Sequence, residues 1–471
     1  MKPRIAELIA ALPEDLDRME GVSVDETWHR LMDDLAWRPA PTGRLRRFWA
    51  LGTLQAKIAA AYLAYWLRAG YADADEKRRR LNETHLKAAL KLLGGMGYLR
   101  GAVMKMGQIL ANYPDVVPEQ FADMLGRLHF EAPPMHFSLL RESFRNELGK
   151  DPEEVFDDFE TKAFAAASLG QVHRARLKGS GQRVAVKVQY PGIARTIHDD
   201  FRNMKAAAFP MRLGGDWDNL KLQFDDIRRM LDLETDYEQE AENQRIARLA
   251  FREGDGVVVP RVYPEYSTRR VLTMEYLDGT HLGAFMASRP SQELRDRHGT
   301  QITLTSFRLW YQAKMVYADP HPGNYLFMPD GRLGLIDFGC CHHFTDQDWD
   351  FVCEVDRVAN TSEEGLRRVL IRAADMTPKQ QTETQRMKLM REWCDWVWEP
   401  LFHEGPFDFS DSDYFHRGVA LYGELVRRRY TRSLPVNIWL SKAFFGIRAM
   451  LAHLAARVDM GAQWEQERAT H

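Results

Sequence analysis

The chain has 471 residues, 45% hydrophobic and 28% charged, a composition that suits folded globular structure and excludes disorder along most of the length. Its 64 Lys and Arg are balanced by 67 Asp and Glu, so it lacks the basic excess of a dedicated nucleic-acid binder. The length allows two or three average domains, or one bilobal domain with an extension.

The N-terminal Met-Lys-Pro-Arg runs into mixed acidic and apolar sequence without the apolar core and cleavage site of a signal peptide, and secretion is not expected. Residues up to about Lys150 show periods of three and four, broken at Pro39 to Gly43 and at Pro133-Pro134. This pattern predicts an all-helical extension over residues 1–150. The longest apolar run, Ile58 to Leu67, falls short of the roughly 20 residues that a spanning helix needs. Leu51, Leu54, Ile58, Ala61, Tyr62 and Tyr65 share a helical face between basic clusters at Arg44, Arg46, Arg47 and at Lys77 to Arg80. Two readings of that helix stay open: one packed on its own protein, the other lying peripherally on an anionic membrane surface.

From Phe156 the pattern changes to short strands. Val172 to Leu177 and Val184 to Gln189, joined by Lys178-Gly-Ser-Gly181, predict a hairpin. A helical stretch from about Asp225 to Phe251 separates it from a second predicted strand pair, Val257 to Val262 with Arg270 to Tyr276. Strands, helix and strands describe a small mixed lobe over residues 151–280. A larger helical lobe over 281–471 contains one short hairpin, Tyr325 to Met328 with Leu333 to Ile336, turning on Pro329-Asp330-Gly331. Thr345, followed by Asp348, predicts a helix N-terminus, and the remainder of the chain is expected to be helical to its end.

The chemistry concentrates in four places. Ala165-Ala166-Ala167-Ser168-Leu-Gly170-Gln-Val172 has the spacing of a kinase phosphate-covering loop, with Ala at the first two Gly positions. The added methyl groups reshape any phosphate seat there, because glycine is what lets a backbone approach a phosphate closely. Val184-Ala185-Val186-Lys187 matches the kinase strand whose lysine contacts the α and β phosphates. Lys187 needs an acidic partner, and Glu240 is the best candidate among Glu234, Asp236, Glu238, Glu240 and Glu242. Asp319-Pro-His-Pro-Gly-Asn324, followed by Asp337-Phe-Gly339, reproduces the spacing of a kinase catalytic loop and metal-binding motif. Mg²⁺ prefers oxygen ligands, so Asn324 and Asp337 are expected as its protein ligands, with Asp319 as base or positioning residue. Glu275 and Leu277, closing the second strand pair, complete the residues expected around the nucleotide.

Two departures set the chain apart from an ordinary protein kinase. Tyr317-Ala318 replaces the usual His-Arg before the catalytic Asp, and no Ala-Pro-Glu follows Gly339. The platform for a protein substrate is therefore missing. Cys340-Cys-His-His343 holds zinc-ligand residue types, but adjacent residues do not turn four side chains onto one tetrahedral ion easily. The four cysteines, Cys340, Cys341, Cys353 and Cys394, form no disulfide framework and suit a reducing cytoplasm.

From about Leu92 to Phe344 these residues resemble the UbiB family of atypical kinases, also called the AarF or ADCK family. Lys105-Met-Gly107-Gln108 looks like the family's K-x-G-Q motif, Ala165 to Ser168 like its Ala-rich loop, and Glu234-Thr-Asp236 like its E-x-D motif. Leu128-His-Phe-Glu-Ala-Pro133-Pro134 departs from the family's usual L-Q-D-x-V-P-P. The resemblance implies an α+β, protein-kinase-like bilobal fold with a helical N-terminal extension, and use of ATP and Mg²⁺. It also implies that the K-x-G-Q helix folds over the protein-substrate region, with Lys105 and Gln108 in the catalytic set. The implied role is in ubiquinone biosynthesis or membrane-lipid homeostasis, with quinone precursors, phospholipids or quinone-biosynthesis proteins as partners. The expected site is cytoplasmic, with peripheral contact on the inner membrane left open. Lys442, Arg448 and His453 interrupt the apolar stretch Ile438 to Leu454, which disfavours a terminal membrane span. An ATPase or atypical small-molecule or lipid kinase is the favoured activity. The alternatives are a protein kinase acting on a biosynthetic partner and a nucleotide-binding scaffold without turnover.

Overall fold

The computed structural model describes residues 137–470, except 168, 196, 199–227, 359–361, 429 and 431–432. The extension predicted over 1–150 falls mostly outside the described residues, as do the segment 51–65, the departure at 128–134, and the motif that carries Lys105 and Gln108. The chain divides into two compact units.

The described part of the first unit falls within residues 137–143, 163–172 and 189–231. It contains strand β2, Ala165–Ala167, paired antiparallel with the first residues of strand β3, Gly170–Leu177, in the register Ala165↔Val172, Ala166↔Gln171 and Ala167↔Gly170. The Ala-rich segment is thus the tight end of a hairpin, with Leu169 buried at its turn and its carbonyl accepting from Tyr190 N.

The second unit spans residues 144–162, 173–188 and 232–471. It holds the sheet ordered β1-β3-β4-β6, where β1 is Phe156–Asp157, β4 is Arg183–Gln189 and β6 is Val271–Glu275. β3 alternates buried and exposed positions over its C-terminal half, as a half-covered strand should. β4 is central, and every residue after Arg183 is buried. Helix α1, Tyr237–Ala250, begins at Asp236, whose carboxylate accepts from Glu238 N and Gln239 N. Glu238 and Glu240 in its first turn complement the positive end of the helix dipole. This cap breaks the helix expected from Asp225 to Phe251 into two pieces.

The second predicted strand pair also differs. Strand β5, Val257–Val258, pairs in parallel with β9, Leu333–Leu335, in a separate sheet ordered β5-β9-β8, where β8 is Tyr325–Phe327. β6 instead pairs antiparallel with β4, and the end of the Val257 to Val262 segment meets it through a bridge from Val262 to Met274. Val257 to Val262 is four valines interrupted at Pro260 and Arg261, and the segment changes neighbours at that break.

The larger lobe is built on helix α2, Gln292–Ala313, started by Ser291 and largely buried along its second half. It leads through Lys314 into strand β7, Met315–Tyr317, which pairs antiparallel with β10, Cys341–His343. Helix α3, Asp346–Val358, carries the predicted cap: Asp348 accepts from Thr345 N at 2.9 Å, and Thr345 Oγ1 accepts from Asp348 N at 3.2 Å. Helices α4, Glu363–Ala373, α5, Thr384–Phe402, α6, Ser412–Arg427, α7, Pro435–Leu454, and α8, Met460–Ala469, follow. The C-terminal part is not wholly helical, since β11, Phe407–Asp408, pairs with β12, Arg457–Val458. Two-residue strands carry no periodicity by which a sequence could announce them. Among the described residues no helix is long and apolar enough to cross a membrane. Small mixed sheets together with a large helical part make this an α+β, protein-kinase-like bilobal fold.

Arg308 of α2 is a buried tie between distant parts of the second unit, reaching Glu467 of α8 and Asp255 before β5 at 2.6 Å each. Removing one member of a buried ion pair strands its partner's charge, at a cost of about 3–5 kcal/mol. Arg308→Met should lower the unfolding free energy by about that amount in a urea titration. A midpoint indistinguishable from the parent would contradict the assignment.

Candidate active site

Lys187 lies in the middle of β4, 5% exposed, where an unpaired ammonium would be strongly disfavoured. Its Nζ donates to Glu240 Oε1 at 2.7 Å and Oε2 at 2.9 Å, and to Asp337 Oδ2 at 3.0 Å. The same ammonium sits 4.9 Å from the centre of the Tyr237 ring. Burial opposes its charge, but Asp337 and Glu240 outweigh burial and hold Lys187 protonated well above the ordinary lysine range. Burial also pushes the Glu240 carboxyl up to about 7, against the pull of the Lys187 ammonium.

Helix geometry explains why Glu240 is chosen among the five acids. It lies one turn after the cap, on the same face as Asn243, and both are buried. Asn243 donates to Phe338 O at 3.0 Å and is joined at its own oxygen by Gln239 and His343. The helix therefore holds Lys187 with one residue and the backbone of Asp337-Phe-Gly339 with another. Asp236 is committed to the cap, and Glu242 pairs with Arg245 at the surface. Glu234 is buried near Gly339, where a β-carbon would lie 3.4 Å from Asp337 Oδ1, 3.6 Å from Glu240 Oε2 and 3.9 Å from Glu234 Oε2.

The β7–β10 ladder brings the two acidic motifs together. Asp319 follows β7 by two residues and Gly339 precedes β10 by two; Ala318 N donates to Cys340 O at 3.0 Å between them. The loop from Asp319 is self-supported: Asn324 Nδ2 donates to Asp319 O at 2.8 Å, and His321 Nδ1 accepts from Gly323 N at 3.1 Å. Asp337 Oδ1 accepts from Gly339 N at 3.0 Å, which fixes the carboxylate's orientation. Phe338 is fully buried against Tyr317, 5.6 Å between ring centres.

The donor chemistry fits Mg²⁺ with its phosphate ligands. With its amide nitrogen on Asp319, Asn324 would offer its oxygen to a hard cation, and Asp337 would add a carboxylate. No group of three or more His, Cys, Asp or Glu among the described residues is placed to hold a metal alone. Mg²⁺ at phosphoryl-transfer sites needs only one or two carboxylates, because phosphates and water complete its shell. The zinc-type run is dispersed accordingly: Cys340 meets Lys442, His342 meets Asp348, and His343 meets Asn243.

The remaining expected nucleotide residues lie as follows. Ala165, Ala166, Ala167, Gly170 and Val172 form the first unit's hairpin, while Ser168 is outside the described residues. Glu275 ends β6, and its carboxylate accepts from Arg261 N at 3.1 Å. Leu277 is buried close to Gly334 of β9. Lys442 was not among the expected residues, yet its Nζ stands 3.2 Å from Asp319 Oδ1. The sequence signal was a lysine that, with Arg448 and His453, interrupts a largely apolar helix.

A lysine–glutamate pair, a D-x-x-x-x-N loop and a D-F-G joined in one lobe pair define a kinase-like domain. The family model for the ABC1 atypical kinase-like domain matches residues 127–366, just over half of the chain, and the chain belongs to this UbiB, AarF or ADCK family. A chloroplastic aarF domain-containing protein kinase of Arabidopsis thaliana is 32% identical over 313 residues, which cover 66% of this chain and 42% of that protein. The AarF domain-containing kinase 1 of Drosophila melanogaster is 31% identical over 299 residues, 61% of this chain and 57% of that protein. The chain thus spans about half the length of these relatives. Among solved structures, that of the Mycobacterium tuberculosis protein Rv3197 in complex with erythromycin superposes with a TM-score of 0.55 at 26% identity. The match covers 84% of this chain and 98% of that one.

Lys187→Met should destabilise the protein by about 3–5 kcal/mol, because Glu240 and Asp337 lose their common counter-charge. The double variant Lys187→Met with Glu240→Met should recover part of that loss. Additive losses in a double-mutant cycle by chemical denaturation would show that the two side chains are not coupled.

Proposed function

We propose that the chain binds Mg-ATP at Lys187, Glu240, Asn324 and Asp337 and transfers or hydrolyses its terminal phosphoryl group as an atypical kinase or ATPase. The observation that carries this reading is the single ammonium of Lys187 held by Glu240 and Asp337 at 2.7 Å and 3.0 Å. A cation fixed beside a metal-ligating carboxylate is what a triphosphate needs at its α and β phosphates. Asn324 and Asp337 would hold Mg²⁺, which would supply neutralisation of the charge on the phosphates. Asp319 then accepts the proton of the attacking hydroxyl or water as the new O–P bond forms and the bond to the leaving ADP oxygen breaks.

The acceptor we favour is a small molecule, a lipid or water, because the sequence after Gly339 lacks the usual protein-substrate platform. The complex of the Mycobacterium tuberculosis chain with erythromycin is in keeping with a small-molecule ligand. Family membership supports the further proposal of a role in quinone biosynthesis or membrane-lipid homeostasis, in which Lys105 and Gln108, outside the described residues, would gate the site and quinone precursors, phospholipids or biosynthetic proteins would be partners. A cytoplasmic setting with peripheral contact on an anionic membrane suits such acceptors.

Mg-dependent ATP hydrolysis should be measurable with the purified chain and should rise with anionic liposomes or a soluble phenol. Asp337→Asn should reduce it by about a hundredfold or more, the scale of losing one group that stabilises the transferring charge. Turnover equal to the parent in that variant would remove Asp337 from the mechanism.

A further inference from the structure

Residues 319–324 contain no lysine or arginine, so the loop itself brings no cation to Asp319. The cation comes from far along the chain. Lys442 of α7 places Nζ 3.2 Å from Asp319 Oδ1 and 3.5 Å from the Sγ of Cys340, the residue after Gly339. It therefore touches both the loop of Asp319 and the segment of Asp337, from a helix that lies beyond the matched domain, residues 127–366.

The position of α7 is over-determined. Gly446, one turn after Lys442, meets Pro320 so closely that a β-carbon would lie 2.4 Å from Pro320 Cγ. One turn before Lys442, Trp439 stacks on His342 of β10 with ring centres 5.1 Å apart and planes at 12°. Trp439, Lys442 and Gly446 share one face by their spacing of three and four. Arg448, almost wholly buried, secures the helix from behind by donating to Tyr414 Oη at 2.7 Å. Asn437 donates to Ala373 O at 2.8 Å near its start. A flexible surface lysine has no such scaffold. This one is 19% exposed at its side chain and is delivered by a helix that packs tightly at Gly446 against Pro320, the residue next to Asp319.

We infer that Lys442 is a positioning residue for phosphoryl transfer, holding the Asp319 carboxylate in place and screening it from the negative charge of the incoming phosphates. The inference rests on the function proposed above. In the step itself the acceptor's proton passes to Asp319 as the acceptor oxygen bonds to phosphorus and the bond to the ADP oxygen breaks; Lys442 keeps its protons throughout. Without the ammonium, phosphate and carboxylate repel one another at short range, and the carboxylate loses one of its anchors.

The test uses the full chain with ATP and Mg²⁺ and compares Lys442→Met, Lys442→Gln and Lys442→Arg with the parent and with Asp337→Asn. For the Met and Gln variants kcat should fall about tenfold to a hundredfold, while the affinity for Mg-ADP stays within about twofold. Their thermal midpoints should stay within about 2 °C of the parent. Lys442→Arg should restore most of the turnover, and Gln separates the charge from the packing should Met fail to fold. Parent-like turnover in the Met or Gln variant, with Asp337→Asn silent, would overturn the role of Lys442 and leave the proposed function standing. Losses in turnover, affinity and midpoint that run in parallel would reduce Lys442 to a tether and overturn the inference. A parent protein without turnover would overturn both.

Discussion

A lysine in the middle of a fully covered central strand is the constraint from which the rest of the site follows. Once Lys187 is buried in β4, the fold must supply anionic partners or leave a charge in a medium that solvates it poorly. Glu240 and Asp337 meet that need from two different elements, a helix of the small lobe and a loop of the large one. A three-membered ion cluster, buried at Lys187 and Glu240 and part-buried at Asp337, is weak evidence for stability in itself, since desolvation offsets much of the attraction. Its value lies in specificity of position, because it places a cation and a carboxylate side by side where a phosphate chain and a divalent ion would need them.

The neighbouring elements hold that cluster in register. The β7–β10 ladder keeps the loop of Asp319 beside Asp337, and Asn243 ties the helix of Glu240 to the backbone at Phe338. Helix α7 then adds a second lysine on the far side, at Asp319. The site thus has two acidic centres, each with its own buried or part-buried ammonium, supplied by opposite ends of the second unit's chain. Gly446 matters here for its lack of a side chain, since any β-carbon would push α7 away from Pro320.

Much of this was legible from the sequence because the signals were local. Asp319, Asn324 and Asp337 fall within a span of 19 residues, and the turn between β8 and β9 was announced by Pro329-Asp330-Gly331, with Gly331 at φ 79°. The pairing of Glu240 with Lys187 could be read from helix position once the strand of Lys187 was placed. What could not be read was long-range. The switch of Val257–Val258 to β9 depends on a parallel pairing across the chain, and the contact of Lys442 with Asp319 depends on how a helix more than a hundred residues later in sequence docks. The break before α1 was a local signal that apolar periodicity hid, since Asp236 followed by Glu238 and Glu240 is a good N-terminus in its own right.

The central claim is that the Lys187 cluster is a nucleotide seat. It is tested most directly by calorimetric titration of the full chain with ADP and ATP, with and without Mg²⁺, for the parent and for Lys187→Met. The account predicts saturable binding of one nucleotide per chain, strengthened by Mg²⁺ and weakened at least about tenfold by the substitution. Nucleotide binding of equal strength in both proteins, or none in the parent at millimolar concentration, would contradict it.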